Sequence, residues 1–320
     1  MAISATNITK SFKDTHVLKG INLAIPAGKV FALLGPNGAG KTTMVRILAT
    51  LLRADGGEAK VGGFNVATQA DEVRGVIGLT GQFAAVDEKL TGRENLEVIG
   101  QLYHISAADA KRRAQELLER FELTDAATRA VKKYSGGMRR RLDLAASLIV
   151  TPPILFLDEP TTGLDPNSRN AVWAMIGELV KEGTTILLTT QYLEEADQLA
   201  DTVAVIDHGV VIAEGTPDEL KDQAGRERLE VVVETDQDFT RAVAVVGSQS
   251  SAKDATTRTL QFPVEQGVHQ LRAILDQFDE AHINVKSIAT HRPTLDDVFL
   301  KLTGHQAEVE HAEDKKEKKK

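Results

Sequence analysis

The sequence predicts an α/β fold followed by a small α+β domain, and three observations lead to this prediction. A short apolar segment, residues 29–34, is typical of a buried strand and runs directly into a glycine-rich loop and a helix pattern. A second apolar segment, residues 154–157, ends in two carboxylates. After residue 217, short strand patterns alternate with helix patterns. The first two segments define a large α/β domain, and the third defines the smaller one.

The glycine-rich loop, residues 35–42, has the complete form G-x-x-x-x-G-K-T and precedes a helix expected over residues 43–50. Its glycines let backbone N–H groups turn inward, so that oxyanions bind at a helix N-terminus. Lys41 is then expected to reach nucleotide phosphates and Thr42 to offer its hydroxyl to Mg²⁺. The motif alone also fits an ordinary glycine turn. The residues assigned to the nucleotide are Gly35, Pro36, Asn37, Gly38, Ala39, Gly40, Lys41, Thr42 and Thr43.

The two carboxylates, Asp158 and Glu159, directly follow the second apolar segment. Asp158 is placed to hold Mg²⁺ through water, because Mg²⁺ keeps most of its hydration shell. Glu159 is then available as the general base for an attacking water. Together with the phosphate loop, residues 35–42, this acidic strand end predicts a site that binds and hydrolyses a nucleoside triphosphate.

A third motif, Ser135-Gly136-Gly137, lies between these two and has no role in a simple phosphate-loop kinase or GTPase. Ser135 is a good helix N-cap, and the paired glycines permit the close approach of another backbone. The apolar stripe that follows favours a helix with one buried face. This Ser-Gly-Gly segment is therefore either an anion site or the start of an ordinary capped helix.

The motifs occur in the order phosphate loop, Gln82, Ser-Gly-Gly segment, acidic strand end and Asp165. In this order they resemble the nucleotide-binding subunit of an ATP-binding-cassette (ABC) transporter. The resemblance covers roughly residues 3–220. It implies a P-loop NTPase cassette with a RecA-like core, an antiparallel β subdomain and a helical subdomain. It also implies ATP and Mg²⁺ as ligands. Finally, it implies a head-to-tail homodimer that holds each γ-phosphate between the phosphate loop of one chain and the Ser-Gly-Gly segment of the other.

The resemblance also implies roles for individual residues. Phe12 matches the aromatic residue that stacks on adenine, and Gln82 matches the glutamine that touches Mg²⁺ or the attacking water. The Ser-Gly-Gly segment contacts the partner's nucleotide, and Asp165 adds a contact across the dimer. The local pattern alone would make Phe12 a buried strand residue and Asp165 a helix N-cap ahead of Pro166.

The chain departs from the family at two positions. Gln191 stands where the family usually carries a histidine that binds the γ-phosphate, and Met138 stands where it often has glutamine. An amide can donate a hydrogen bond but cannot carry the positive charge of an imidazolium. We expect the chain to retain ATP hydrolysis with Gln191, at a rate that is lower or less sensitive to pH than with histidine at this position.

The length of 320 residues suits one large and one small domain, which we place at residues 1–222 and 226–304, with a disordered charged tail at 305–320. No apolar run approaches the roughly 20 residues that cross a bilayer. We therefore expect a cytoplasmic protein, peripheral on the membrane, that uses the channel of a separate permease. The absence of cysteine fits a reducing compartment and excludes disulfides and cysteine-ligated zinc.

The net charge of −8 argues against general nucleic-acid binding. One dense basic run, residues 139–141, follows the Ser-Gly-Gly segment. It is expected either at a phosphate-rich dimer interface or, for Arg140, on a solvated helix face. The histidines show no metal-ligand spacing.

Residues of about 88–150 are expected to form the helical subdomain. One stripe of apolar residues within it predicts a buried helix face: Ala110, Ala114, Leu117, Leu118 and Phe121. Glu88, Leu90 and residues 91–95 follow Gln82 closely and are candidates for the permease-facing groove.

The smaller domain is expected to contain strands at residues 229–234, 259–264 and 283–288 and helices at 238–246 and 268–278, which is compatible with a ferredoxin-like arrangement. A final helical stripe follows, made of Leu295, Val298, Phe299 and Leu302. The domain carries no catalytic constellation, so a dimerisation or regulatory role is favoured. The ending at residues 292–304, together with Gln191, resembles the daunorubicin/doxorubicin-resistance ATP-binding subunits.

The sequence is thus interpreted as the ATPase subunit of an ABC exporter for a drug-like or lipid-like amphipathic molecule, which itself contacts the permease. Two alternatives stay open. One is a soluble cassette ATPase acting on ribosomes or DNA, which the single cassette and acidic balance disfavour. The other is an ATP switch with little turnover, which Gln191 leaves open.

Overall fold

The structure is a computed structural model that describes residues 1–81, 85–224, 227–247, 249–264, 268–291 and 293–303. The chain divides into two compact units, Met1–Pro217 and Asp218–Gly304. The tail expected at 305–320 lies outside the described residues. Among the described residues, no helix is long and apolar enough to span a bilayer.

The first unit contains a six-stranded and a four-stranded sheet. Its strands are β1 (Ile3–Phe12), β2 (Thr15–Ile25), β3 (Val30–Leu34), β4 (Gly56–Val61), β5 (Phe64–Asn65), β6 (Ile77–Thr80), β7 (Ile154–Asp158), β8 (Thr185–Thr190), β9 (Thr202–Asp207) and β10 (Val210–Gly215). The six-stranded sheet has the order β10-β9-β3-β8-β7-β6 and is parallel except for β10 at its edge. Every residue of β3, β7 and β8 is buried, as expected for central strands covered on both faces.

The four-stranded sheet is antiparallel, with the order β2-β1-β4-β5. It shares one apolar core with the larger sheet, since Ile3 and Ile21 belong to the same cluster as Phe31, Phe156 and Leu187. Burying large apolar side chains contributes roughly 1.5–3 kcal/mol each. The core therefore fixes the strands whose ends carry the motifs.

The helices that begin in the first unit are α1 (Lys41–Leu48), α2 (Ala70–Val76), α3 (Gly92–Leu102), α4 (Ala107–Arg120), α5 (Gly136–Ser147), α6 (Pro166–Lys181), α7 (Leu193–Leu199) and α8 (Pro217–Ala224). α1 begins at Lys41, two residues before the predicted start, because the glycine loop ends at Gly40 with a left-handed backbone. Thr91 starts α3 with a capping box to Glu94. The apolar stripe predicted on α4 is buried, together with the adjoining Phe121.

The second unit contains β11 (Arg228–Val233), α9 (Asp236–Val246), β12 (Ala252–Asp254), β13 (Thr259–Pro263), α10 (Val268–Glu280), β14 (Val285–His291) and α11 (Leu295–Thr303). Its sheet has the antiparallel order β12-β13-β11-β14, the arrangement of a ferredoxin-like domain. The short strand β12 was not expected. On α11, Leu295, Val298 and Phe299 are buried, whereas Leu302 is exposed, so the predicted stripe is one residue too long.

The division between the units falls after Pro217, the first residue of α8, whereas the sequence places the boundary after residue 222. The ammonium of Lys301 on α11 donates a hydrogen bond to the carbonyl of Gln223 on α8. Arg228 on β11 lies 3.5 Å from Asp297 on α11. These contacts group α8 with the elements that follow it.

Candidate functional site

Three neighbouring parallel strands bring the motifs to one edge of the large sheet. β3 leads into the phosphate loop, β7 ends at Asp158, and β8, which lies between them, ends at Thr190. The backbone N–H of Gly35 donates to the carbonyl of Thr190 at 3.3 Å, and that of Glu159 donates to the carbonyl of Thr189 at 3.0 Å. β8 therefore joins the phosphate loop to the acidic strand end. This carboxyl edge is where ligands of open α/β sheets bind.

The phosphate loop has the backbone that an anion site requires. Gly38 and Gly40 have left-handed φ values of 82° and 110°. A Cβ at Gly40 would lie 2.6 Å from Cδ2 of Leu18, so both the conformation and the space select glycine there. Asn37 is exposed and Pro36 is half-buried, so the loop opens outward. Ala39 is buried. Thr43, in the first turn of α1, is half-buried.

Lys41 is held inside the loop. Its side chain is buried, and its ammonium donates to the carbonyls of Gly35 and Pro36 at 2.7 and 3.1 Å. The same ammonium lies 4.0 Å from a carboxylate oxygen of Glu159. Burial lowers the pKa of Lys41, and the charges of Glu159 and Asp158 oppose that shift. The loop thus concentrates one positive charge where the phosphates are expected.

Two hydroxyl groups donate hydrogen bonds to Asp158. The hydroxyl of Thr42 donates to Oδ1 of Asp158 at 3.1 Å, and the hydroxyl of Thr189 donates to the same oxygen. Asp158 itself is buried. A hydroxyl and a carboxylate at this spacing are the hard oxygen donors that Mg²⁺ prefers. The structure therefore brings together two of the three residues that the sequence assigns to the metal, and the third, Gln82, lies outside the described residues.

Glu159 stands in a strained turn beside them. Its φ of 51° is left-handed, a conformation that costs a non-glycine residue about 1–3 kcal/mol. Thr189 accepts from its backbone N–H through both the carbonyl and, at 3.2 Å, the hydroxyl. The hydroxyl of Thr162 contacts its carboxylate at 3.4 Å. The turn directs the carboxylate towards Lys41 and the phosphate loop.

The Ser-Gly-Gly segment opens α5. Ser135 is exposed, and its hydroxyl accepts from the N–H of Met138 at 3.2 Å, so Ser135 is the N-cap that its type predicts. Gly136 is exposed, with Leu164 as its nearest neighbour. Gly137 differs, because a Cβ there would lie 2.4 Å from the hydroxyl oxygen of Ser168 on α6. Gly137 therefore permits the close packing of two helices within one chain.

Asp165 caps α6. Its carboxylate accepts from the N–H and the hydroxyl of Ser168 at 3.0 and 2.6 Å. These hydrogen bonds hold the pKa of Asp165 below its ordinary value. The contact across a dimer implied for this residue stays a prediction.

Two of the three remaining predicted site residues, Phe12 and Gln191, fall within the described residues. Phe12 is 48% exposed at the end of β1, with the ammonium of Lys10 located 5.6 Å from its ring, so it is not a buried strand residue. Gln191 is half-buried and directly follows β8. Gln82 lies outside the described residues, although Gly81 and Ala85 on either side of that gap are described.

The basic run shows where sequence reasoning was wrong. Arg140 does not lie on a solvated face: it is buried and donates to three backbone carbonyls. The dimer interface expected for the run stays a prediction. Thr189, which contacts both carboxylate residues, was also missed. Its position at the end of a fully buried strand beside β7 is the signal that could have identified it.

The residues present fit a magnesium nucleotide. The glycine loop presents backbone N–H groups at the start of α1, and the buried Lys41 adds a positive charge. Thr42 and Asp158 supply oxygen ligands, and Phe12 offers an exposed aromatic ring. The glycine loop, Thr42 and Asp158 lie at one edge of the six-stranded sheet, whereas Phe12 lies at the end of β1 in the four-stranded sheet. In the Ser-Gly-Gly segment, Ser135 and Gly136 are exposed.

Comparison with family models supports this interpretation. Residues 18–162 match a model described as ABC transporter. Residues 215–303 match a model described as ATP-binding protein DrrA1-3-like, C-terminal domain. The two matches fall on the two structural units.

Individual proteins extend the comparison. The chain is 54% identical to the daunorubicin resistance ATP-binding protein DrrA2 of Streptomyces coeruleorubidus, over 96% of each chain. It is 49% identical to the daunorubicin/doxorubicin resistance ATP-binding protein DrrA of Streptomyces peucetius, over 100% of this chain and 97% of the relative. A solved dimeric ATP-binding cassette in a post-hydrolysis state with ADP and Pi superposes with a TM-score of 0.62. That match covers 67% of this chain and 98% of the other at 27% identity.

Proposed function

Because the chain belongs to the ATP-binding subunits of ABC transporters, we propose that it powers the export of a drug-like or lipid-like amphipathic molecule through a separate membrane permease. ATP hydrolysis coupled to transport is the activity of this family. The observation that carries the residue assignments is the convergence of Lys41, Thr42, Asp158 and Glu159 at one sheet edge. The full-length similarity to drug-resistance subunits supports the class of cargo.

In the proposed mechanism, the loop N–H groups and Lys41 bind the phosphates and balance their charge. Thr42 and Asp158 hold Mg²⁺, which when bound screens the charge that develops on the phosphate oxygens. Glu159 accepts a proton from the attacking water, and Thr162 orients its carboxylate through the 3.4 Å contact. Phe12 stacks on the adenine ring.

The second half of the site is proposed to come from another copy of the chain. The exposed Ser135 and Gly136 face the nucleotide of the partner, and Asp165 lies nearby at the start of α6. The similarity to a dimeric cassette supports this arrangement. Nucleotide binding then closes the homodimer, and hydrolysis reopens it.

A groove on the first unit is proposed to receive the permease at the cytoplasmic face of the membrane. It has a volume of about 370 Å³ and is lined largely by apolar side chains, including Leu51, Leu79, Ile99 and Tyr103. Leu51 and Tyr103 are 62% and 44% exposed, so the groove presents apolar surface to solvent. Ala85 also lines the groove. Glu88 is paired with Arg139 at 2.8 Å and does not line it.

The second unit is proposed to support assembly or regulation. Its β14 is an edge strand with six of its seven residues exposed, and its core is apolar. No group of three or more metal-ligating side chains occurs among the described residues of either unit. A partner-facing role is therefore better supported than a second reaction centre.

The test is to express the chain with a candidate permease encoded beside it and to measure Mg²⁺-dependent ATPase activity in isolated membranes. We expect co-purification, together with activity that falls by about 10²–10⁴-fold in Glu159→Gln. Leu51→Asp should weaken co-purification, whereas Val210→Asp, at an exposed site on β10, should leave it intact. Activity in Glu159→Gln equal to that of the parent chain would contradict the assignment of the base.

A further inference from the structure

A buried arginine on α5 contacts three backbone carbonyls in two segments beside the candidate site. Arg140 is 7% exposed, and its guanidinium donates to the backbone carbonyls of Gly81 and Pro160, each at 2.6 Å, and of Asp158 at 3.2 Å. The planar guanidinium has five donors in a fixed geometry, so one side chain can fix several carbonyls at once. Arg140 thereby ties α5 to the end of β7 and to the end of β6.

Two of these carbonyls flank Glu159 on either side. The strained left-handed backbone of Glu159 persists only if the surrounding contacts hold it. Its N–H is held by Thr189, and the carbonyls of the residues before and after it, Asp158 and Pro160, are held by Arg140. The direction of the Glu159 carboxylate therefore depends on the hydrogen bonds that Arg140 makes to these carbonyls.

Buried acidic groups balance the charge of Arg140. Asp143, one turn along α5, lies 3.4 Å from the guanidinium and also accepts from the N–H of Ala85 at 2.7 Å. Glu195 on α7 is fully buried and accepts from the hydroxyl of Thr161 at 2.7 Å. Its charge is among those that favour the ionised form of Arg140. Arg140 is thus a buried cation whose charge is balanced by buried carboxylates.

We propose that Arg140 is a positioning residue for ATP hydrolysis. It fixes the carbonyls of Asp158 and Pro160, the residues on either side of Glu159, and joins them to Gly81. The inference rests on the proposed role of Glu159 as the base. Arg140 acts on the rate of the chemical step through the direction of the Glu159 carboxylate. Nucleotide affinity is set separately by the phosphate loop.

The neighbouring arginine provides a matched control. Arg141 is on the same helix and donates to the carbonyl of Phe121 at 3.2 Å and to Glu122 at 3.3 Å, within the helical part of the unit. Neither contact reaches β7 or Glu159. A change at Arg141 removes the same charge from α5 without altering the turn that holds the base.

The first experiment compares steady-state ATPase kinetics of Arg140→Met, Arg140→Lys and Arg141→Met. We expect kcat to fall by about 10–100-fold in Arg140→Met, because small displacements of a catalytic group cost up to about 10²-fold. KM should change by less than about threefold, because the phosphate loop is intact. Arg140→Lys should recover part of kcat, and Arg141→Met should stay within about twofold of the parent chain.

The second experiment separates positioning from general destabilisation. In a Glu159→Gln background, where the base is absent, Arg140→Met should cause no further loss of the residual rate, since residues acting as a unit are non-additive. A loss that multiplies with that of Glu159→Gln would overturn the proposal. Thermal unfolding identifies folded variants, and Arg140→Lys carries the same test if Arg140→Met does not fold.

The outcomes also separate this inference from the proposed function. If Glu159→Gln turns over at the parent rate, the proposed base is wrong, and the positioning role fails with it. If Glu159→Gln is impaired while Arg140→Met keeps the parent kcat, only the role of Arg140 fails. A rise in KM with unchanged kcat would likewise contradict it.

Discussion

The two glycine-led helix starts of the first unit differ in what surrounds them. At α1, the glycine loop opens outward at Asn37, while Lys41 is buried. At α5, Ser135 and Gly136 are exposed, and the serine hydroxyl caps its own helix. Beside the first start lie the buried carboxylates Asp158 and Glu159, whereas the second start is open at the surface. The difference supports the proposal that one chain holds half of the site and presents the other half to a partner.

The two helices, α1 and α5, also differ in their buried charged side chains. α1 has a single buried cation, Lys41, at its first position. α5 has the buried pair Arg140 and Asp143 one turn further along. Lys41 donates to carbonyls of the loop in which the phosphates are proposed to bind, whereas Arg140 donates to carbonyls at the ends of two other strands. Five substitutions can break or sharpen this comparison.

The largest effect is expected from Lys41→Met. Removing the buried ammonium should lower affinity for Mg²⁺-ATP by about 10²-fold or more, because charge-assisted hydrogen bonds to phosphate are lost. Fluorescent-nucleotide titration would measure this loss. Lys60→Met, at an exposed position on β4, is the control and should bind as the parent chain does. Equal affinities of the two variants would show that the buried Lys41 contributes no more to nucleotide binding than an exposed lysine does.

A pH-dependent effect is expected from Asp143→Asn. Burial raises the pKa of Asp143 from 3.8 to about 6. Between these values the folded chain binds more protons than the unfolded chain, so this residue lowers the free energy of unfolding as pH rises from about 4 to 6. The difference between parent and variant should change by roughly 3 kcal/mol over that window and then level off.

Denaturant titrations at several pH values would measure this free-energy difference. Asp71→Asn, at an exposed site on α2, is the control for the loss of a surface carboxylate. A pH-independent difference between the parent chain and Asp143→Asn would mean that the buried acid on α5 does not titrate in this range.

Substitutions at the two glycines of the Ser-Gly-Gly segment should affect stability and ATPase activity separately. Gly137→Ala places a Cβ 2.4 Å from the Ser168 hydroxyl oxygen and should lower the free energy of unfolding by about 1–3 kcal/mol. Gly136→Ala has room within the chain and should leave stability nearly unchanged. Its ATPase activity should nevertheless fall, because the exposed face serves the partner. Full activity in Gly136→Ala would argue against a dimer contact at that residue.

The smallest effect is expected at Gln191. Gln191→His introduces a group that titrates near pH 6.5, so turnover should rise by less than about tenfold and acquire a pH dependence below pH 7. A pH-rate profile of both proteins would show it. An unchanged rate and profile would mean that this position does not reach the phosphate.

The sequence predicted the elements whose residues carry local signals. The phosphate loop, the acidic strand end and the N-caps at Ser135 and Asp165 follow from residue types at fixed spacing, and the structure positions them accordingly. The ferredoxin-like order of the second unit also followed from alternating strand and helix patterns, although β12 was missed. With only three exposed residues, β12 has no apolar alternation to detect.

Contacts between distant segments could not be predicted. Arg140 looks like one of three similar surface arginines, because its burial arises from the packing of α5 beside β6 and β7. Gly137 looks like a ligand-binding glycine, whereas its close neighbour is Ser168 on another helix. Glu195 and Thr189 carry no motif, and their importance arises only once β7 and β8 are adjacent.

The most direct test of the shared site uses the absence of cysteine from the chain. In a Glu159→Gln background, single variants Asn37→Cys and Ser135→Cys would be mixed with Mg²⁺-ATP and a short bismaleimide. The account predicts a covalent dimer of twice the 34.6 kDa chain that requires ATP and both variants. ATP binding without this cross-link would contradict a site built from the phosphate loop of one chain and the Ser-Gly-Gly segment of another.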